Sequence, residues 1–365
     1  MLVAAAAAFV LLVVVFELET RASVESRIRP NRGNVRFTVN NISSNSTASS
    51  VDDSIEEEAS FLALFKRRSQ LRPDPTHSSV DWNVSCRSCS QFLHQVKASQ
   101  LPDTSTSRYH CVRMAAAPHP TVCLHPPEQD VYISRQLINN ASWEPIIVAQ
   151  FQQVLRADPH LGVIDLGANI GVYSLLAAKM QRDVIAVEPF AGNVARMLTA
   201  ALIDNTTRRL TVLQNAVSSR CGIATMQFTE GNMGDIRVNS NYESARHHKQ
   251  EATTKSLTLS CLRNFISFTR AVLKVDIQGS EHRALLTLPE LLQTVDIRVI
   301  FMEWSLLRTY YGSDVTQSEN KTLVNDLVVA LQDRFGYAPR SSVTGKRLKI
   351  AHWYGWPDDV IWWRE

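Results

Sequence analysis

Two groups of acids stand out by their spacing. Asp165 lies two residues before Gly167, the turn continues through Asn169 to Gly171, and Glu188 follows 17 residues later. Glycine lets the backbone take positive φ and lets a ligand lie against the main chain. The spacing is not the G-x-G-x-x-G that seats a pyrophosphate on a helix N-terminus. A carboxylate at 165 would repel a diphosphate and suits a ligand that carries a cation and donor groups. The second group is Asp276, Glu281 and Glu303. Asp276 sits where a strand should end, the edge at which open α/β sheets bind their ligands. A carboxylate or a histidine there, with His282 as a second candidate, could take a proton. Each has a plainer reading: Asp276 as a helix cap, Glu281 as complement to the helix's positive end, His282 as a surface residue, Glu303 as partner of Lys274 or Arg298.

The elements that must hold these groups alternate. Apolar runs predict strands at 162–166, 184–188, 210–217, 271–276 and 297–303, with helices over Val172–Lys179, Val194–Ile203, Ser280–Leu288 and Asp326–Phe335. Gly222–Thr229 reads as an extra strand and 347–352 with 359–364 as a closing antiparallel hairpin. Asp130–Ser134 reads as a short strand and Trp143–Leu155 as an amphipathic helix. The polar stretch 230–255, with Gly231, Gly234 and His247-His248, reads as a mobile loop or lid. Trp353, Trp356, Trp362 and Trp363 read as packing residues. Strand, glycine turn, helix and a second strand ending in an acid form half of a nucleotide-binding α/β sheet.

The D-x-G-x-N-x-G pattern with its later acid resembles motif I and the following acidic residue of S-adenosylmethionine-dependent methyltransferases. Ala271–His282 resembles the K-I-D-V-E-G-x-E segment of the FkbM-type methyltransferases, and Glu188-Pro189, Asn215-Ala216 and Met302-Glu303 extend the likeness over most of residues 130–365. The resemblance implies an α/β, Rossmann-like class I sheet, mostly parallel, with helices on both faces. It implies S-adenosylmethionine as cofactor, held by Asp165, Gly167, Asn169, Gly171, Glu188 and Asn215. Glu188 would accept the ribose hydroxyls and Asn215 would contact the adenine side or satisfy a turn. Asp276 and Glu281 would be the catalytic acids, with no metal. Gln278 departs from the family, which commonly has Glu there.

The remaining features bear on location. The 365 residues carry a net charge of +3 and no basic stripe interleaved with aromatics, so nucleic acid is not an expected partner. Leu2–Phe16 is an unbroken apolar run, short for a membrane span and at the upper end for a signal core. Arg21, Arg27 and Arg29 follow it, which by charge bias alone would keep that flank in the cytosol. Six glycosylation sequons, at Asn41, Asn45, Asn83, Asn140, Asn205 and Asn320, argue for a lumenal chain instead. The reading is a signal anchor over 1–20, with a cleaved signal or a buried cytosolic helix as alternatives. A disordered stem over 21–80, a cysteine-containing subdomain over 81–150 and the methyltransferase-like domain over 151–365 follow. The six cysteines are Cys86, Cys89, Cys111, Cys123, Cys221 and Cys261. The first four offer disulfides in three pairings or, with His110, His119 and His125, a zinc site. Cys221 and Cys261 pair with each other or stay as buried thiols. The expected function is hydroxyl methylation of a glycan or another secretory-pathway acceptor, membrane-anchored in the Golgi or endoplasmic reticulum, or secreted if the signal is cleaved. Its alternatives are a non-catalytic binding module and a cytosolic small-molecule methyltransferase.

Overall fold

Eight strands form one sheet whose centre is parallel. The computed structural model describes residues 86, 88–101, 108–239, 251–311 and 319–365. In chain order the strands are β1 (Gln95–Val96), β2 (Cys111–Arg113), β3 (Thr121–Cys123), β4 (Leu161–Leu166), β5 (Val184–Val187), β6 (Leu210–Leu213) and β7 (Ala216–Val217). They continue with β8 (Gly222–Thr229), β9 (Asn232–Asn239), β10 (Glu251–Leu257), β11 (Arg270–Val275), β12 (Asp296–Glu303), β13 (Tyr337–Ser341) and β14 (Asp359–Arg364). The helices are α1 (Cys89–Phe92), α2 (Ile133–Asn140), α3 (Pro145–Ala157), α4 (Val172–Lys179), α5 (Ala191–Ile203), α6 (Glu281–Ala284), α7 (Leu288–Leu292), α8 (Ser305–Tyr311) and α9 (Glu319–Val329). The main sheet runs β1-β6-β5-β4-β11-β12-β14-β13. From β6 to β12 the neighbours are parallel, and β1, β14 and β13 close the edges antiparallel.

Side-chain alternation sorts the residues of each strand onto two faces. Val163, Ala186, Val272, Val299, Phe301, Ile361 and Trp363 pack with α3, α4 and α5. Ile164, Leu166, Ile185, Leu273, Val275, Ile300, Met302, Val360 and Trp362 pack with α6, α7 and α9. Every residue of β4 is buried, as a central parallel strand covered on both sides requires. Helix α4 is mostly apolar and is buried from Val172 to Ala178. The four tryptophans pack as expected, and Trp362 is 0% exposed.

Several expectations change. The 210–217 run does not stay in one sheet: it leaves the main sheet at Gln214 and resumes as β7 in a second sheet, β7-β10-β8-β9. Where it is described, the 230–255 stretch is paired strand and turn rather than a loop or lid. Residues Asn232–Asn239 pair antiparallel with β8, and Glu251–Leu257 pair with β8 and β7. Asp130–Ser134 is not a strand. Asp130 caps the start of α2, accepting from the Ile133 and Ser134 amides at 3.1 and 2.9 Å. The closing hairpin pairs β14 with Tyr337–Ser341, because 350–355 winds into a short helical turn. Helix 280–288 breaks into α6 and a 3-10 turn, and Ala330–Arg334 is a π-turn after α9.

The disulfides are Cys86–Cys221, Cys89–Cys261 and Cys111–Cys123. Cys221 and Cys261 thus pair not with each other but across the chain, although their sulfurs lie 3.6 Å apart. No free thiol is left among the described cysteines to hold zinc. The two long links, spanning 135 and 172 residues, tie the cysteine-bearing segment to the sheet, and β1 adds to the edge of β6. Residues 114–155 share one core with the sheet. Among the described residues no helix is long and apolar enough to cross a membrane. The Leu2–Phe16 run, the 21–80 stem and His247-His248 lie outside the described residues.

Candidate active site

A cavity of about 250 Å³ opens at the carboxyl ends of β4, β5 and β11. Its floor is the turn after β4. Gly167 has φ +79°, and a Cβ there would stand 1.8 Å from the Asp276 carbonyl oxygen. Gly171 has φ +94°, and a Cβ would meet Met197 Cγ at 2.6 Å. The turn is therefore possible only with glycine at both places. Asn169, also left-handed at φ 53°, turns its amide onto Glu188 Oε2 at 2.9 Å.

Glu188 is buried at the end of β5. Its Oε1 also accepts from the Phe190 amide at 3.0 Å and Asn193 Nδ2 at 3.1 Å. Asn193 in turn accepts from His125 Nε2 at 2.7 Å, so the cysteine-bearing segment braces this carboxylate. Burial outweighs these donors and pushes the Glu188 carboxyl up to about 7. Asp165, 1% exposed, accepts from Ser174 Oγ at 2.6 Å, and burial pushes it up to about 6.

The second group is assembled by register. Lys274 pairs with Asp165 across β11 and β4, and Glu303 pairs with Asp359 across β12 and β14. By alternation all four side chains emerge on the face of α3 and α4, forming a charged row across four adjacent strands. Lys274 Nζ lies 3.4 Å from Asp276 Oδ2 and 5.2 Å from the Tyr173 ring centre. The Tyr173 hydroxyl donates to Glu144 Oε2 at 2.5 Å. Burial opposes the Lys274 charge, but Asp276, Glu144, Asp359 and Glu303 outweigh it and raise its pKa. Lys274 is an ammonium held inside the protein by carboxylates.

Burial alone would raise the Asp276 carboxyl. Lys274, with hydrogen bonds from Glu303, Gln278 and Lys274 itself, holds it below the ordinary range instead. Its side chain is 29% accessible, toward the cavity. Glu303 goes the other way: burial and the Asp276 charge push it up to about 10, so it keeps its proton and bonds Asp276. Asp359 is raised to about 7 by burial and by Glu144. Within this pair the ionised acid, Asp276, faces the cavity with the protonated Glu303 beside it.

The structure brings together Asp165, Gly167, Asn169, Glu188, Asn215 and Asp276 around the cavity. Glu281 is not on its wall. Its Oε1 accepts from the Ile277 and Gly279 amides at 2.9 and 3.2 Å, which shapes the turn after β11, and burial pushes it up to about 7. His282 is not a surface residue; it is buried and packs edge-on against Tyr311. Asn215 lines the cavity, but its amide is a clamp. Both N–H groups are used, on the Phe92 and Lys255 carbonyls at 2.8 and 3.1 Å, and its oxygen takes the His94 amide at 3.0 Å. Sequence reasoning missed Lys274, Glu144, Tyr173 and Asp359, and the apolar wall of Val217, Ile236 and Val238. Lys274 left a signal: it is the one charge inside the apolar run Ala271–Val275, two residues from Asp276 and so on the same side of the strand.

The comparisons agree with this geometry. The Methyltransferase FkbM domain model matches residues 165–337, which hold the glycine turn, both acids and the Lys274 strand. No curated protein matches the chain. Among solved structures the chain is similar to a candidate caffeoyl-CoA O-methyltransferase from Staphylococcus aureus, at 9% identity and TM-score 0.37, covering 62% of this chain and 87% of that one. It is also similar to a candidate O-methyltransferase from Klebsiella pneumoniae, at 8% identity and TM-score 0.35, covering 65% and 97%. Likenesses this distant carry no weight beside the strand order and the domain match. Over residues 165–337 the chain belongs to the FkbM methyltransferase domain family, and the protein is an S-adenosylmethionine-dependent methyltransferase.

Proposed function

We propose that this methyltransferase acts on a hydroxyl group of a glycan or another acceptor of the secretory pathway, with Asp276 as the base. The observation that carries this reading is the state of Asp276: a carboxylate kept ionised by Lys274, reachable from the cavity and at the carboxyl end of a central strand.

The cradle fits the cofactor. Gly167 lines the cavity, so a ligand meets bare backbone there, whereas Gly171 lies off the wall against Met197 and Leu175 and serves to shape the turn. Glu188, desolvated and raised to about 7, gains by accepting ribose hydroxyls, which would replace lost water. The buried Asp165 carboxyl suits the ammonium of the aminoacyl end. Val217, Ile236 and Val238 give an apolar wall for a base. Bound S-adenosylmethionine supplies an already activated methyl group, so the protein's work is positioning and proton removal. Asp276 takes the acceptor's hydroxyl proton, and Lys274 and Gln278 hold its oxygens in place as it does so.

Location is the second part of the proposal. Three disulfides fit an oxidising compartment. The sequon residues Asn140 and Asn205 are exposed and open to glycosylation, while Asn41, Asn45 and Asn83 lie outside the described residues. A signal anchor at Leu2–Phe16 would put the enzyme in the Golgi or endoplasmic reticulum with its catalytic part lumenal. Calorimetric titration of S-adenosylmethionine, followed by labelled methyl transfer to a glycan panel, tests the activity. Methyl transfer to a nitrogen or carbon acceptor and to no hydroxyl would overturn the hydroxyl reading. A glycosidase-induced mobility shift of the expressed chain is expected, and an unglycosylated cytosolic protein would overturn the location.

A further inference from the structure

Gln278 stands in the acid cluster as an amide. Its backbone is left-handed, at φ 55°, a conformation that a residue other than glycine adopts at a cost. That backbone places its Nε2 2.8 Å from Asp276 Oδ1 and 3.3 Å from Glu303 Oε2. One amide nitrogen thus donates to both acids. A Glu at 278 in the same rotamer would put a third carboxyl against two others and could make the same bonds only while protonated.

We propose that Gln278 is a positioning residue that gives Asp276 and Glu303 a hydrogen-bond donor independent of pH, so that Asp276 stays an ionised base at pH values where an acid at 278 would lose its proton. This rests on the reading of Asp276 as base. The groups facing the trio come from every packed element. Lys274 lies on the same strand, Asp165 on β4, Glu144 at the head of α3, Tyr173 on α4, Glu281 on α6, Ser305 on α8 and Asp359 on β14. Lys274 is the one cation among them, so the cluster already holds more acid than it can ionise, and Glu303 keeps its proton. A further carboxyl would need a proton of its own. The amide removes that requirement and keeps the donor.

The test compares the full chain with Gln278→Glu and with the exchange Gln278→Glu/Glu303→Gln, following the melting temperature from pH 5.5 to 8.5. A carboxyl at 278 whose folded pKa is raised above its unfolded value loses stability as pH rises through the folded pKa. The single variant is expected to melt near wild type at pH 5.5 and to trail it increasingly, by about 5 °C at pH 8.5. The exchange variant, which restores one amide to the trio, is expected to follow the wild-type curve. A gap that does not change with pH, or an exchange variant that behaves like the single one, would overturn the proposal. Should Gln278→Glu not fold at any pH, the exchange variant decides alone: folding with the wild-type curve supports the proposal, and failure overturns it. Titration of wild type with S-adenosylmethionine is run beside it. Absence of binding there would sink the cofactor reading and leave the melting comparison standing.

Discussion

The cofactor cradle and the acid cluster share one cavity but are built on different physics. The cradle, Gly167 to Glu188, is one continuous stretch whose shape comes from backbone: two glycines and Asn169 at positive φ, with main-chain amides on Glu188. The cluster comes from places far apart in the chain. Lys274, Asp276, Gln278, Glu303 and Asp359 meet because β11, β12 and β14 lie side by side in register, and the head of α3 adds Glu144. A local turn fails when one backbone position cannot be reached. A charge cluster fails when its balance is upset. Substitutions in the two regions should therefore fail in different ways.

Gly167→Ala should have the largest effect. Its Cβ would need the space of the Asp276 carbonyl, so the turn must move. Cofactor binding measured by calorimetry should fall by more than about 100-fold, at every pH. Retained affinity would show that the cradle is softer than its geometry. Lys274→Met should come next. It removes the buried cation, Lys274, from a set of acids, at a cost of about 3–5 kcal/mol near neutral pH. With the ammonium gone, the folded pKa of Asp276 rises above its unfolded value, so stability is lost as pH rises. Melting at pH 5 should be less impaired than at pH 8, and an equal loss at both would break the contrast between the regions.

Glu188→Gln should weaken cofactor binding by about 10- to 100-fold, the worth of charge-assisted hydrogen bonds. It should leave the fold intact, because Gln still accepts from one of the amides now on the carboxylate. The smallest effect is a fraction of a proton. Glu188 is raised to about 7 in the protein alone, so its contribution to stability is present at low pH and lost as pH rises through about 7. Hydroxyl donors from a ligand favour the ionised form. Binding near pH 7 should therefore release about 0.5 proton, seen as a heat that depends on the buffer. Glu188→Gln should abolish that release.

The same contrast governs what was legible beforehand. The glycine turn, Glu188, Asp276 and the strands that carry them could be read directly, since each is a short pattern of residue type and spacing. The 230–255 stretch misled because polar composition does not reveal pairing: Asn232–Asn239 is a strand through its partner β8, and its residues Gly234, Asp235, Ile236 and Val238 wall the cavity. Glu281 follows Asp276 by five residues and so reads as part of the same site, whereas its place on α6 turns it back onto the Ile277 and Gly279 amides.

By itself the sequence determined the α/β alternation and the backbone of the turn, because glycine conformation and strand periodicity are local properties, and its motifs, by their resemblance, carried the family and the cofactor. Tertiary structure alone decided the disulfide partners, the clamp on Asn215, and which acid is charged. Cys89 meets Cys261 across 172 residues. Asp276 is ionised and Glu303 is not because one ammonium, on the strand they flank, lies nearer the first. Those outcomes depend on distances through space in a medium of low polarity, and chain spacing does not encode them.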